Sequence, residues 1–130
     1  MFKGKLVIAA LVALSATAAR AETISVPAGE SSAMIDFTNL DDNCQTIGKP
    51  KGKVTREPKH GKVSFKWISI TLDEDYGTCK GKHAKSLRVF YSPDRGYRGS
   101  DAFTVGATMP AYDDGSGSRY VSESFDLSVE

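Results

Sequence analysis

The sequence predicts an all-β domain, a two-layer sandwich or barrel of about seven short strands. Three observations predict it. Apolar and β-branched residues alternate with polar ones over short runs. Glycine, proline and Asp-Gly clusters interrupt those runs about every ten residues. Little of the chain after residue 21 reads as helix.

The elements follow in order. Residues 23–26 alternate and stop at Pro27, Ala28 and Gly29. Residues 33–37 alternate around Met34, Ile35 and Phe37. Residues 38–52 are polar and turn-rich. Residues 53–56 read as a short strand and 57–61 as a turn around Pro58 and Gly61. Residues 62–72 form the strongest strand, in which Val63, Phe65 and Trp67 share one parity while Ile68, Ile70 and Leu72 take the other. That slip predicts either a bulge near Trp67 and Ile68 or a strand whose two halves face different surfaces. Trp67, midway along it, is expected in the core. Residues 73–84 read as a polar loop, 86–91 and 102–107 as strands, 110–118 as a turn and 120–129 as a final strand.

The first 21 residues read as an address. Lys3 and Lys5 precede an apolar run at residues 6–14, and small residues lead to Ala19, Arg20 and Ala21. This order is that of a cleaved secretory signal peptide. The run is shorter than the ~20 residues a membrane span requires, and no later stretch is long enough. The expectation is a signal at 1–21 and a single domain at 22–130. That domain would be periplasmic or secreted and have no transmembrane segment.

Charge is uneven along the domain. Residues 22–48 carry five acids and no Lys or Arg, residues 49–98 a net +8, and residues 99–130 a net −5. A basic middle between acidic ends fits pairing across neighbouring strands or an exposed face for a polyanion. The overall balance of +1 gives no reason to propose nucleic acid as a partner. Lys49, Lys51 and Lys53, with Lys80 and Lys82, are the candidate anionic-ligand surface; a solubilising, edge-protecting loop is the alternative.

The only two cysteines, Cys44 and Cys79, lie in polar segments of an exported chain, where an even count favours a structural disulfide. No C-x-x-C spacing points to a redox pair. His60 and His83 are too few for a closed zinc site, and cations flank His83. The acidic runs at 73–75 and 113–114 match no EF-hand loop. No G-x-S-x-G elbow occurs, and no acid stands among apolar residues that would raise its pKa. Neither enzyme activity nor a cofactor or metal is expected.

Three stretches carry a resemblance. Pro58, His60, Gly61 and Val63 match a P-x-H-G-x-V turn. Tyr91, Pro93, Gly96, Tyr97, Gly99, Asp101 and Phe103 match the pattern Y-x-P-x-x-G-[FY]-x-G-x-D-x-F. Asp114, Gly115 and Gly117 match a D-G-x-G hairpin before a last strand. In order and spacing, residues 53–130 resemble the bacterial immunoglobulin-like (cadherin-like) repeat domains. The resemblance implies an immunoglobulin-like antiparallel sandwich acting as a spacer or adhesive module. The chain differs in having one copy, and in the insertion carrying Cys79 and the loop carrying Cys44.

The motif also has a physical reading. Pro93 ends a strand, Gly96 and Gly99 allow turns, Tyr97 plugs the sandwich end, and Asp101 accepts loop amides. The expected function is an exported, non-catalytic binding module of the bacterial cell envelope, contacting a protein or an envelope glycan. A small secreted enzyme inhibitor and a metal-binding envelope protein are the alternatives. A projecting loop held by the disulfide favours the first of these, and convergence of His60 with His83 the second.

Overall fold

The computed structural model describes residues 22–130. The segment read as a signal peptide lies outside the described residues. Among the described residues there are seven strands: β1 Thr23–Val26, β2 Ser32–Phe37, β3 Lys51–Arg56, β4 Gly61–Thr71, β5 His83–Pro93, β6 Gly99–Met109 and β7 Arg119–Val129. They form two sheets, β1-β7-β6-β3 and β2-β5-β4. Neither sheet closes on itself, so the sandwich rather than the barrel is realised. All pairings are antiparallel except β1 with β7, which is parallel. Among the described residues, no helix is long and apolar enough to cross a membrane.

Alternation builds the core. Leu87, Val89 and Tyr91 of β5 face Phe103, Val105 and Ala107 of β6, and all six are buried. Leu127 and Val129 of β7, with Val26 of β1, close one end of this cluster. Tyr91 stacks on Phe103 at 5.7 Å and Phe103 on Phe125 at 5.0 Å, joining the two sheets through aromatic rings.

The parity slip in β4 needs no bulge. Its pairing with β5 runs unbroken from Gly61 with Pro93 to Thr71 with His83. Val63, Phe65 and Trp67 pack on the core. Ile68 and Ile70 face the other way, beside their partners Ser86 and Ala84, which are both buried. The cover on that side is the disulfide-bonded pair of loops. Ser86 donates to the Phe37 carbonyl at 3.1 Å, and Tyr76 donates to Thr38 at 3.2 Å. The register shifts lie instead in β2, between Ala33 and Ile35, and in β3, between Val54 and Arg56.

Several boundaries differ from expectation. β5 and β6, at His83–Pro93 and Gly99–Met109, start three residues earlier and end two later than residues 86–91 and 102–107, because their pairings with β4 and β7 continue to both ends. β3 begins at Lys51, two residues early, because its partner β6 extends to Met109 and offers Thr108 and Ala107 to Lys51 and Gly52. The expected loop after β4 contains a 3-10 helix, Glu74–Cys79, with Gly77 at φ 58°. Asp73 starts it by accepting the Asp75 N–H at 3.0 Å.

Candidate functional site

The residues of the resemblance meet at one corner of the sandwich. The β3–β4 turn sends the N–H groups of Lys59 and His60 to Asp101 at 2.9 and 3.1 Å. Tyr91 donates to the same carboxylate from the facing sheet at 2.6 Å. Pro58 is buried beside them. Gly61 lies against the Tyr91 ring, where an added Cβ would sit 2.6 Å from it. Pro93 ends β5, and Asp94 then donates its N–H to the His60 carbonyl at 2.8 Å. Gly96 adopts φ 81°, a conformation that L side chains resist. Tyr97 stacks on His60 at 4.0 Å, and Gly99 leaves room for its hydroxyl. Phe103 re-enters the core with no exposure.

This corner is built to hold its own shape. A cleft of about 700 Å³ opens beside it, lined by Arg56, Glu57, Lys59, His60, Tyr97 and Asp126 among others. Its charges are mixed, and its buried acid is occupied by protein donors. It selects no one ligand charge.

A second concavity has a clearer chemistry. The β3 and β4 margins lie side by side at one open end of the two layers. Gly52 of β3 packs directly on the Phe65 ring of β4, where an added Cβ would sit 2.5 Å from it. Between them runs a groove of about 480 Å³, lined by Lys49, Pro50, Lys51, Phe65, Trp67 and Leu87 among others. Trp67, expected in the core, is only half-buried, because β4 is the last strand of its sheet. The Lys49 ammonium lies 5.7 Å from the Trp67 ring centroid, and the Lys85 ammonium 5.8 Å. Both distances are within cation–π range. Among the described residues neither lysine forms a salt bridge.

The five candidate lysines do not share one site. Lys49 reaches the Trp67 groove. Lys51, on the rim of the same groove, and Lys53 are exposed on β3, opposite Thr108 and Gly106 of β6. Lys80 and Lys82 lie beyond the 3-10 helix, and Lys80 is paired with Glu74 at 3.3 Å. Lys85, absent from the sequence reading, completes the groove. It lies opposite Ser69, two positions from Trp67 along β4, which is visible only once the β4–β5 register is known.

Cys44 and Cys79 form a disulfide with their Cα atoms 5.6 Å apart. Cys44 holds φ 65°, and Asp41 braces its loop by accepting the N–H groups of Asn43 and Gln45 at 2.8 and 2.9 Å. The bonded loops lie against the sheet, since Cys44, Ile47 and Leu72 are buried. Thr46 accepts the Lys85 N–H at 2.9 Å, tying the Cys44 loop to the strand that carries Lys85. His60 and His83 sit at opposite ends of the β4–β5 hairpin, about 35 Å apart at the usual rise per residue. Among the described residues, no group of three His, Cys, Asp or Glu side chains converges to hold a metal ion.

Comparison with protein-family models, with curated proteins and with solved structures finds no match.

Proposed function

We propose that this chain is an exported, non-catalytic binding module of the cell envelope, periplasmic or secreted, that takes an acidic glycan at the Trp67 groove. One observation carries the reading. A half-exposed indole lines an open groove with two ammonium groups 5.7 and 5.8 Å from its ring centroid, neither of them in a salt bridge among the described residues. An aromatic face offers apolar contact to the C–H face of a sugar, and flanking cations offer charge-assisted bonds to its carboxylates. The strand order β1-β7-β6-β3 over β2-β5-β4, with β1 parallel to β7, supports an immunoglobulin-like reading of the sandwich. Export is supported by the order of Lys3, Lys5, the apolar run and Ala19-Arg20-Ala21.

The binding-module reading is preferred to the inhibitor because the disulfide-bonded loops lie on the sheet rather than project from it. It is preferred to the metal-binding protein because the two histidines stand at opposite ends of one hairpin.

Trp67 is the only tryptophan, so its emission reports on the site directly. Titration with oligogalacturonate should change that emission saturably, and added salt should weaken the effect. The methyl-esterified oligomer, with the same sugar rings and no charge, should bind far more weakly. Lys49→Ala with Lys85→Ala should abolish the response to the acid form, and the oligomer should be recovered uncut. No saturable change at millimolar oligogalacturonate would overturn the reading.

A further inference from the structure

Gly106 lies in the middle of β6, where a glycine weakens a strand unless something needs the space. Here the occupant is Tyr120. A methyl built on Gly106 would overlap the Tyr120 hydroxyl and the ring carbons beside it. Tyr120 belongs to β7 and stands opposite Thr108, so its ring lies diagonally across the sheet onto Gly106. Gly106 is buried beneath it, yet Tyr120 as a whole is 53% exposed. The ring therefore lies flat on the outer face of the four-stranded sheet, one face on backbone and the other toward solvent.

The rows it spans both end on lysine. Lys51, Thr108 and Tyr120 form one cross-strand row; Lys53, Gly106 and Ser122 form the next on the same face. Val54 and Val105, paired between these positions and Thr104, point to the core. Glu123 has the core-facing parity of β7, so the first acid of that strand on the outer face is Asp126, beyond Ser124. Around Tyr120 the sheet thus presents hydroxyls, an open aromatic face and two cations.

We propose that Tyr120 and Lys53, with Lys51 on the rim they share with the groove, form a second subsite for the same acidic glycan, so that the ligand is a polymer lying over the β3 edge. The inference rests on the groove reading and extends it. Lys49 and Trp67 lie on one side of β3, and Tyr120 lies on its other face. A monomer or dimer fills one subsite; a longer chain crosses the edge strand and fills both. Two linked subsites raise affinity through effective concentration, with no new contact needed.

The test uses oligogalacturonates of two and eight sugars, with Trp67 emission for the groove and amide NMR shifts of Gly106 and Tyr120 for the outer face. The octamer should bind at least about tenfold tighter than the dimer and should shift both amides. Tyr120→Ser, and separately Lys53→Ala, should bring the octamer down to the affinity of the dimer. Unchanged dimer binding in these variants shows that the fold is retained. Equal affinity of dimer and octamer for the wild type, or an unchanged advantage of the octamer in Tyr120→Ser, overturns the second subsite. If Trp67 responds while both amides stay still, the groove reading survives and the second subsite falls. If the amides shift while Trp67 stays silent, ligand binds the outer face alone, and the groove reading and the two-subsite polymer fall together.

Discussion

The Tyr91 phenol donates a 2.6 Å hydrogen bond to Asp101 across the sandwich, from β5 in one sheet to β6 in the other. Asp101 also accepts N–H groups from Lys59, His60 and Ala102 at 2.9, 3.1 and 2.9 Å. One carboxylate thereby joins both sheets and the β3–β4 turn. Burial pushes its pKa up, but the Tyr91 hydroxyl and the three amides outweigh burial and hold it below the ordinary carboxylate value. Burial, and next the bond to Asp101, raises the Tyr91 pKa above its ordinary value, so the phenol remains a donor at neutral pH.

Acid stability follows from that relationship. A depressed carboxylate pKa adds stability that is complete above the unfolded value, about 3.9, and is lost as pH falls through the lower folded value. Tyr91→Phe removes one of the four donors and leaves the ring in place. Its acid-unfolding midpoint should move to higher pH, and stability at pH 7 should fall by about 1.5–3 kcal/mol. Circular dichroism followed through acid titration reads the first effect, and urea unfolding the second. Coincident acid curves for the two proteins would mean that Asp101 does not couple the sheets.

Two glycines separate a close contact that cannot yield from one that can. Gly61 faces the fully buried Tyr91 ring and the Ser92 carbonyl, which an added Cβ would approach to 2.6 and 2.7 Å. Neither can retreat, so Gly61→Ala should destabilise by about 1–3 kcal/mol. Gly106 faces only the far end of an exposed tyrosine. In Gly106→Ala the ring should swing outward, with stability changing by less than about 1 kcal/mol. Thermal unfolding of the two variants in parallel checks this, and equal losses would contradict it.

What was legible in the sequence follows the range of the interactions. Period-two alternation located seven strands because burial on one face is a local property of each strand. The parity slip at Trp67 and Ile68 marked a real change of surface, since Ile68 and Ile70 lie beside the buried Ser86 and Ala84. The Cys44–Cys79 pairing was legible from an even cysteine count in a chain read as exported. Register was not. Lys85 reaches Trp67, and Tyr120 reaches Gly106, through strand pairings that no local pattern encodes. The half-burial of Trp67 was hidden for the same reason, since strand order makes β4 an edge. The one local signal for the outer face was a glycine midway through an alternating strand.

The Asp36–Arg88 pair tests how much an ion pair on this surface contributes. Arg88 donates from Nε to Oδ1 at 2.7 Å and from a terminal nitrogen to Oδ2 at 2.9 Å, a two-point contact between β2 and β5. The side chains are 34% and 24% exposed, so solvent screens the attraction. Asp36→Asn should reduce stability by less than about 1 kcal/mol, and the loss should shrink in high salt. Urea unfolding with and without 1 M sodium chloride measures both; a large loss insensitive to salt would point to packing of β2 instead.

The disulfide should govern both stability and the groove. Cys44 and Cys79 are 35 residues apart, a closure that the loop-entropy model rates at about 4 kcal/mol. The same bond lies upstream of both groove cations. Lys49 follows Cys44 on one loop, Lys85 follows Cys79 on the other, and Thr46 accepts the Lys85 N–H at 2.9 Å to join the two segments. With the link removed, the Cys44 loop keeps the burial of Ile47 and its hydrogen bonds, among them Ile47 N–H to the Asn39 carbonyl at 2.8 Å. Cys44→Ser with Cys79→Ser should therefore lower urea stability by about 2–4 kcal/mol. Under conditions where the variant is still folded, its Trp67 emission should differ from that of the wild type and its affinity for oligogalacturonate should be lower. Lower stability with wild-type emission and affinity would show that the loops set the lysines without the bond, leaving the disulfide a purely structural tie.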